Sequence, residues 1–211
     1  MADSEQQRGP LLALVARGLE LWLRQQCQAV EELELKLEGS MAGLLRGHLR
    51  GVRLQARRVV FQDLSLEWVE LRSAPIHVHL GGLVQGGSLR LEKPFLVEGT
   101  VALTGEGLSR SLLTSQWREL GDQLSEGLLG FRPLQGLTLL DERLILQAQG
   151  HQGGEPLEVE TRMELTPSGL QLRPLDGGPP LPLAMDPAIR LQRAEVRTGQ
   201  LELQGEALVQ P

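Results

Sequence analysis

Between Val97 and Leu113 the sequence changes its hydrophobic period once, and that change constrains the fold more than any other stretch. Val97, Val101 and Leu103 are spaced by two or a multiple of two, as in a half-buried strand. Leu108, Leu112, Leu113, Trp117, Leu120, Leu124 and Leu128 then recur at helical spacing. Thr104 stands at the switch, where its hydroxyl can accept an early helix N–H as an N-cap, and Glu106 follows in the first turn, where a negative charge suits the helix dipole. Gly107 occupies the position from which Glu or Gln would complete a capping box. A strand therefore feeds an amphipathic helix in mid-chain, running to about Leu129 with Gly121 as its weak point. That helix needs a sheet to cover it.

Strand-like alternation lies on both sides. Before the switch, Leu33, Leu35 and Leu37 alternate with charged residues; Val52, Leu54 and Ala56 follow. The phase then slips to Val59 and Phe61, again to Leu64, Leu66 and Trp68, and again at Val69 and Leu71. Repeated slips predict a kinked or strongly curved sheet, since each would otherwise turn the apolar set to the other face. Ile76, Val78 and Leu80 form the next strand, a loop lies between Gly81 and Gly87, and Leu89 to Leu103 keep one phase, with Pro94 implying an edge or a break. After the helix, Leu137–Leu139 pairs with Leu144–Ala148, and a Gly150–Gly154 turn leads to Leu157–Leu165 and a short partner at Leu170–Leu172. Ile189–Val196 and Leu201–Ala207 make a terminal hairpin around Thr198-Gly199. Nothing divides the chain by composition and no period repeats, so residues 1–211 read as one α+β domain.

Pro10 to Cys27 reads as an N-terminal amphipathic helix, within residues 1–28, with Leu11, Leu12, Val15, Leu19, Trp22 and Leu23 on one face. Packing on the domain is the plain reading; peripheral contact with a membrane is the sharper one, opposed by a polar face that is not strongly basic. No window reaches the ~20 apolar residues of a membrane span. The start of the chain, polar and acidic, lacks the basic start and apolar run of a secretory signal, so a cytoplasmic location is expected.

The net charge of −6, no Tyr and only 3 Phe and 3 Trp argue against nucleic-acid binding, which wants a basic surface and stacking aromatics. The interior must be mostly aliphatic. Cys27 is the single cysteine, so no intramolecular disulfide forms. His77 and His79 point to one face of a strand, but two ligands do not make a metal site. Ser109 and Ser111 lie inside the helix rather than on a nucleophile elbow, and no phosphate loop or complete dinucleotide fingerprint is present. No catalytic residues, metal or cofactor are expected, and the chain reads as a non-enzyme.

Several stretches resemble the LmeA-like phospholipid-binding family of actinobacteria and cyanobacteria. These are Gly43-Leu44-Leu45-Arg46-Gly47, Leu64-Ser65-Leu66-Glu67, Leu89-Arg90-Leu91-Glu92-Lys93-Pro94 and, above all, Val101-Ala102-Leu103-Thr104-Gly105-Glu106-Gly107-Leu108-Ser109. Leu103, Thr104 and Leu108 match the family's form of that last motif, whereas Gly105, Gly107 and Ser109 replace an acid, an Asp and an Asn. The resemblance implies a tubular-lipid-binding (TULIP-like) fold: a curved antiparallel sheet wrapped around a long amphipathic helix, leaving an apolar groove. It implies non-enzymatic binding of a phospholipid or other acyl lipid, peripheral to a membrane. Phe95, Val97, Val101, Leu112, Leu113, Trp117, Leu120, Leu124 and Leu128 are the expected acyl-chain contacts. The alternative is a protein-interaction or scaffold module with a closed core and no ligand, docking through the N-terminal helix.

Overall fold

A computed structural model describes residues 10–79, 90–149, 156–197 and 199–211. The polar start over residues 1–9, Leu80, Leu89, the Gly81–Gly87 loop, the Gly150–Gly154 turn, Thr198, and the side chains of Pro10, Leu11, Val78, His79, Arg90 and Leu91 lie outside that description. In chain order the elements begin with helix α1 (Pro10–Gln26), strand β1 (Ala29–Glu38), helix α2 (Met41–Leu45) and strands β2 (His48–Leu49), β3 (Gly51–Phe61), β4 (Leu64–Ser73), β5 (Ile76–His79), β6 (Arg90–Leu91) and β7 (Phe95–Thr104). Helices α3 (Gly105–Leu112) and α4 (Arg118–Leu129) follow. Then come β8 (Leu134–Leu140), β9 (Arg143–Ala148), β10 (Leu157–Thr166), β11 (Gly169–Pro174), β12 (Leu181–Pro182), β13 (Ile189–Arg197) and β14 (Gln200–Val209).

Three antiparallel sheets result. The largest has the order β1-β3-β4-β7-β14-β13, the second β12-β11-β10-β9-β8, and a small one joins β2, β5 and β6. The terminal hairpin thus returns to the first sheet and pairs with β7, Leu201 opposite Leu103 and Leu203 opposite Val101. β7 is therefore central, and Pro94 marks a break between β6 and β7 rather than an edge.

The phase slips in β3 are absorbed within the strand. Arg58 sits at φ 47°, and Ala56 and Val59 on either side of it are both buried in one cluster with Val69. The β3–β4 hairpin turns through Gln62 and Asp63, both left-handed at φ 48° and 61°. Side chains hold that costly turn: Gln28 Nε2 donates to Asp63 Oδ1 at 2.6 Å, and Trp117 Nε1 donates to the Gln62 carbonyl at 2.7 Å.

Thr104 is the N-cap of α3, its hydroxyl accepting from Gly107 N at 3.0 Å. Two expectations about the following helix are corrected. It is two helices, not one, and among the described residues neither of them is a long helix wrapped by a sheet. The chain turns at Leu113–Trp117, where Thr114 Oγ1 donates to the Ser111 carbonyl at 2.7 Å and Leu113 and Thr114 bond back three residues instead of four. Gly121, expected to be the weak point, is the contact between the two helices; a Cβ there would stand 2.9 Å from the Leu112 carbonyl oxygen.

Helix α3 is the joint between the two larger sheets. Ser111 Oγ accepts from Ser65 N in β4 at 2.9 Å, and Ser109 Oγ accepts from Leu137 N in β8 at 3.0 Å. Gly105 brings the helix start close against β8, where a Cβ would stand 2.9 Å from Leu139 N. Around this joint lies the main core: Leu103, Leu112, Leu124, Leu137, Leu146, Leu172, Val196 and Leu201 among others. Two smaller cores sit on the first sheet. One gathers Leu12 of α1, Leu44 of α2, Leu49 and Ile76; the other gathers Ala56, Val59 and Val69 beneath Cys27 and Leu33.

Candidate functional site

The registers of the six-stranded sheet place one apolar row after another across a single face. Leu35, Leu54, Leu71, Gly99, Gly205 and Leu191 stand opposite one another in turn, as do Leu33, Ala56, Val69, Val101, Leu203 and Ala194. A third row ends Val97, Ala207, Ile189. The bulge between Leu191 and Arg193 lets Leu191 and Ala194 share this face although they are three apart. It also draws the β13 backbone close, so that a Cβ on Gly205 would lie 2.4 Å from the Arg190 carbonyl oxygen.

This face is covered unevenly. Helix α1 and Cys27 cover the β1–β3 side, where Leu12 and Val15 meet Leu37 and Val52. The second sheet and α3 cover the ends of β7, β13 and β14 through Leu103, Leu201 and Val196. Between them, Val97, Leu191, Ala194 and Ala207 are half-buried without joining any of the three cores, and Ile189 is 45% exposed. Leu71 borders them. Among the described residues, this is an open apolar strip on a sheet whose other face is mostly polar, with Leu96 and Leu208 paired and exposed on it.

That other face carries Glu38, Arg53, Arg72, Glu70, Glu98 and Gln204. Glu38 lies 3.5 Å from Arg53 and 3.6 Å from Arg72. An open cavity of about 300 Å³ there is lined by Glu38, Arg50, Arg72 and Glu98 with Leu96, and a second of about 160 Å³ by Glu70, Arg72, Gln192 and Gln204. Neither resembles the apolar pocket that an acyl chain requires.

The expected contact residues divide between these places. Leu112 and Leu124 are 4% and 7% exposed inside the main core, with Val101, Trp117, Leu120 and Leu128 packed against it. Leu113 is exposed, and Phe95 packs with Leu12 and Ile76 at the other end of the sheet. Val97 stands on the open strip. Leu71, Ile189, Leu191 and Ala207 were not singled out from the sequence; alternation marks them as inward-facing, but only the register across four strands brings them to one strip.

His77 packs edge-to-face on His48, ring centroids 4.8 Å apart, through the β2–β5 pairing. No cluster of three metal-ligating side chains occurs among the described residues. Burial pushes the Cys27 thiol above its ordinary range, with Arg24 pulling the other way. No helix among the described residues is long and apolar enough to cross a membrane.

The model of one protein family, described as LmeA-like phospholipid-binding, matches residues 7–206. No curated protein and no solved structure matches the chain.

Proposed function

The chain belongs to the LmeA-like phospholipid-binding family, and on that premise we propose that it holds the acyl part of a phospholipid along the strip formed by Leu71, Val97, Ile189, Leu191 and Ala207, without doing chemistry on it. The observation that carries this reading is the strip itself: aliphatic side chains in register on one sheet face, of which Val97, Leu191 and Ala207 are half-buried outside every core, Ile189 is exposed, and Leu71 packs at the edge of a small core. Each methylene taken from water contributes about 0.8 kcal/mol, and a strip of aliphatic side chains leaves no polar group to satisfy. Phe95 and Val101 flank Val97 on β7, so the strand half of the expected contact set borders the strip. The helix half, Leu113 excepted, packs in or against the main core.

The test is native mass spectrometry of the gently purified protein, followed by organic extraction and lipid analysis. A phospholipid at near-stoichiometric amount is expected. It should be lost in the Ile189→Glu/Leu191→Glu variant while the far-UV circular dichroism stays unchanged, because both side chains already face solvent in part. A bare mass before and after incubation with liposomes would overturn the reading in favour of a closed interaction module.

A further inference from the structure

Most cationic side chains of this protein are spent on carboxylates. Ion pairs run from Arg24–Glu20 at 3.3 Å through Arg143–Glu160 at 2.7 Å to Arg193–Glu195 at 2.6 Å. Among the described residues, Arg17, Arg46, Arg50 and Lys93 have no carboxylate or hydrogen-bond partner for their side chains, and Arg118 reaches only the Leu113 carbonyl.

Three of those four free cations flank the small sheet. Arg46 precedes β2 by two residues, Arg50 follows it directly, and Lys93 comes two residues after β6. The pairings of His48 with His77 and of Val78 with Leu91, and the bond from Glu92 N to the His77 carbonyl at 3.0 Å, hold these segments side by side. Helix α2 sits at the same end. Leu44 anchors it in the core shared with Leu12 and Ile76, and this turns the next residue, Leu45, outward to 67% exposure, the highest of the large apolar side chains among the described residues. Of the nearby carboxylates among the described residues, Glu38 is shared by Arg53 and Arg72, Glu92 has a partner of its own, and Glu98 alone is free. Among the described residues, this end is therefore locally cationic on a chain of net charge −6.

We propose that this end docks the protein on the surface of an anionic phospholipid bilayer, Leu45 entering the interface while Arg46, Arg50 and Lys93 meet lipid phosphates. A net-negative protein is repelled by such a surface unless free cations are concentrated at one place, and the exposed Leu45 next to Arg46 supplies the apolar contact. The docking stands apart from the strip: it places the protein on the membrane whether or not the strip holds lipid.

The full chain should be co-sedimented with vesicles of phosphatidylcholine alone and of phosphatidylcholine with phosphatidylglycerol. Binding to the phosphatidylglycerol vesicles is expected at low salt and should fade at about 0.5 M, where the screening length shrinks to a few ångströms. Each surface cation near an anionic leaflet changes partitioning about fivefold, so Arg46→Gln/Arg50→Gln/Lys93→Gln should weaken it on the order of 100-fold. Leu45→Ser should weaken it at either salt. Arg17→Gln/Trp22→Ser, on the exposed side of α1, should leave it unchanged. Equal binding to both vesicle types, undiminished binding of the triple variant, or loss of binding in the α1 variant would each overturn the proposal. Lipid loading of the strip, read by native mass spectrometry from detergent micelles in the same triple variant, should persist and so reports on the strip separately.

Discussion

Two buried serines on the helical joint have the same chemistry and opposite consequences. Ser111 Oγ accepts from Ser65 N and donates to the Gly107 carbonyl at 2.8 Å, so it satisfies a strand N–H as well as itself. Ser125 Oγ is fully buried in α4 with no partner. Ser111→Ala leaves the Ser65 amide unpaired and should cost about 1–3 kcal/mol, whereas Ser125→Ala removes only an unsatisfied hydroxyl and should be neutral or stabilising by about 1 kcal/mol. Urea midpoints of the two variants, at unchanged slope, check the sign. Cys27 offers a third test. Its folded thiol ionises above the ordinary range because burial outweighs the pull of Arg24. A pKa raised on folding leaves stability intact below the unfolded value and erodes it as pH climbs through the folded one. Alkylation at about pH 8 should therefore be slower in the folded than in the urea-unfolded chain, the gap narrowing at higher pH. At this scale the sequence was informative where a side chain acts on its own neighbours. Thr104 was legible as a cap because its partner, Gly107, is three residues away. Ser111 was not, because its partner, Ser65, is 46 residues away.

Among the elements, strands were the most legible, since β1, β3, β4 and the pairs β8–β9, β10–β11 and β13–β14 each carry their own alternation. The mid-chain helix misled because its apolar spacing runs through Leu112, Leu113 and Trp117 without interruption. Periodicity does not register that Thr114 bonds back to Ser111, nor that Gly121 is wanted for contact rather than flexibility. Gly121→Ala should therefore destabilise, although alanine is the better helix former by about 1 kcal/mol. The added Cβ meets the Leu112 carbonyl oxygen, and a lowered thermal midpoint would separate contact from propensity. Trp117 belongs to the same element-scale account. Its apolar spacing suggested an acyl contact, yet its indole N–H holds the β3–β4 turn, a role that no helical pattern encodes. Helix α1 was placed well, but its Trp22 is 54% exposed and Leu21 60%, so the buried face is the one through Leu12 and Val15. The sequence pattern alone put Trp22 among the packed residues.

The whole molecule is closed by its last two strands. β14 pairs along the full length of β7 and, with β13, sends Leu201 and Val196 into the core that α3 and the second sheet share. That return could not be read from the sequence, because hairpin patterns mark neighbours in the chain and not the distant strand that receives them. It also creates the candidate site, for Val97 on β7 meets Ala207 on β14 and Ile189 and Leu191 on β13 only when the hairpin lies there. An apolar ligand on that strip would bridge β7 to the terminal hairpin, and would bind the folded chain alone. Its binding must then appear as stability. At a free lipid concentration of about 100 Kd the gain is about 2.7 kcal/mol. For a domain of this size each kcal/mol raises the midpoint by about 2–4 °C, so a shift of about 5–10 °C is expected in scanning calorimetry when a monomeric short-chain phospholipid is titrated. The shift should grow with the logarithm of lipid concentration and vanish in Ile189→Glu/Leu191→Glu. Leu124→Glu should by contrast lower the midpoint with or without lipid, since it places a charge in the main core. A lipid-dependent shift that survives in the strip variant would move the acyl chain elsewhere on the fold, and equal behaviour of the two variants would remove the distinction between strip and core on which the site rests.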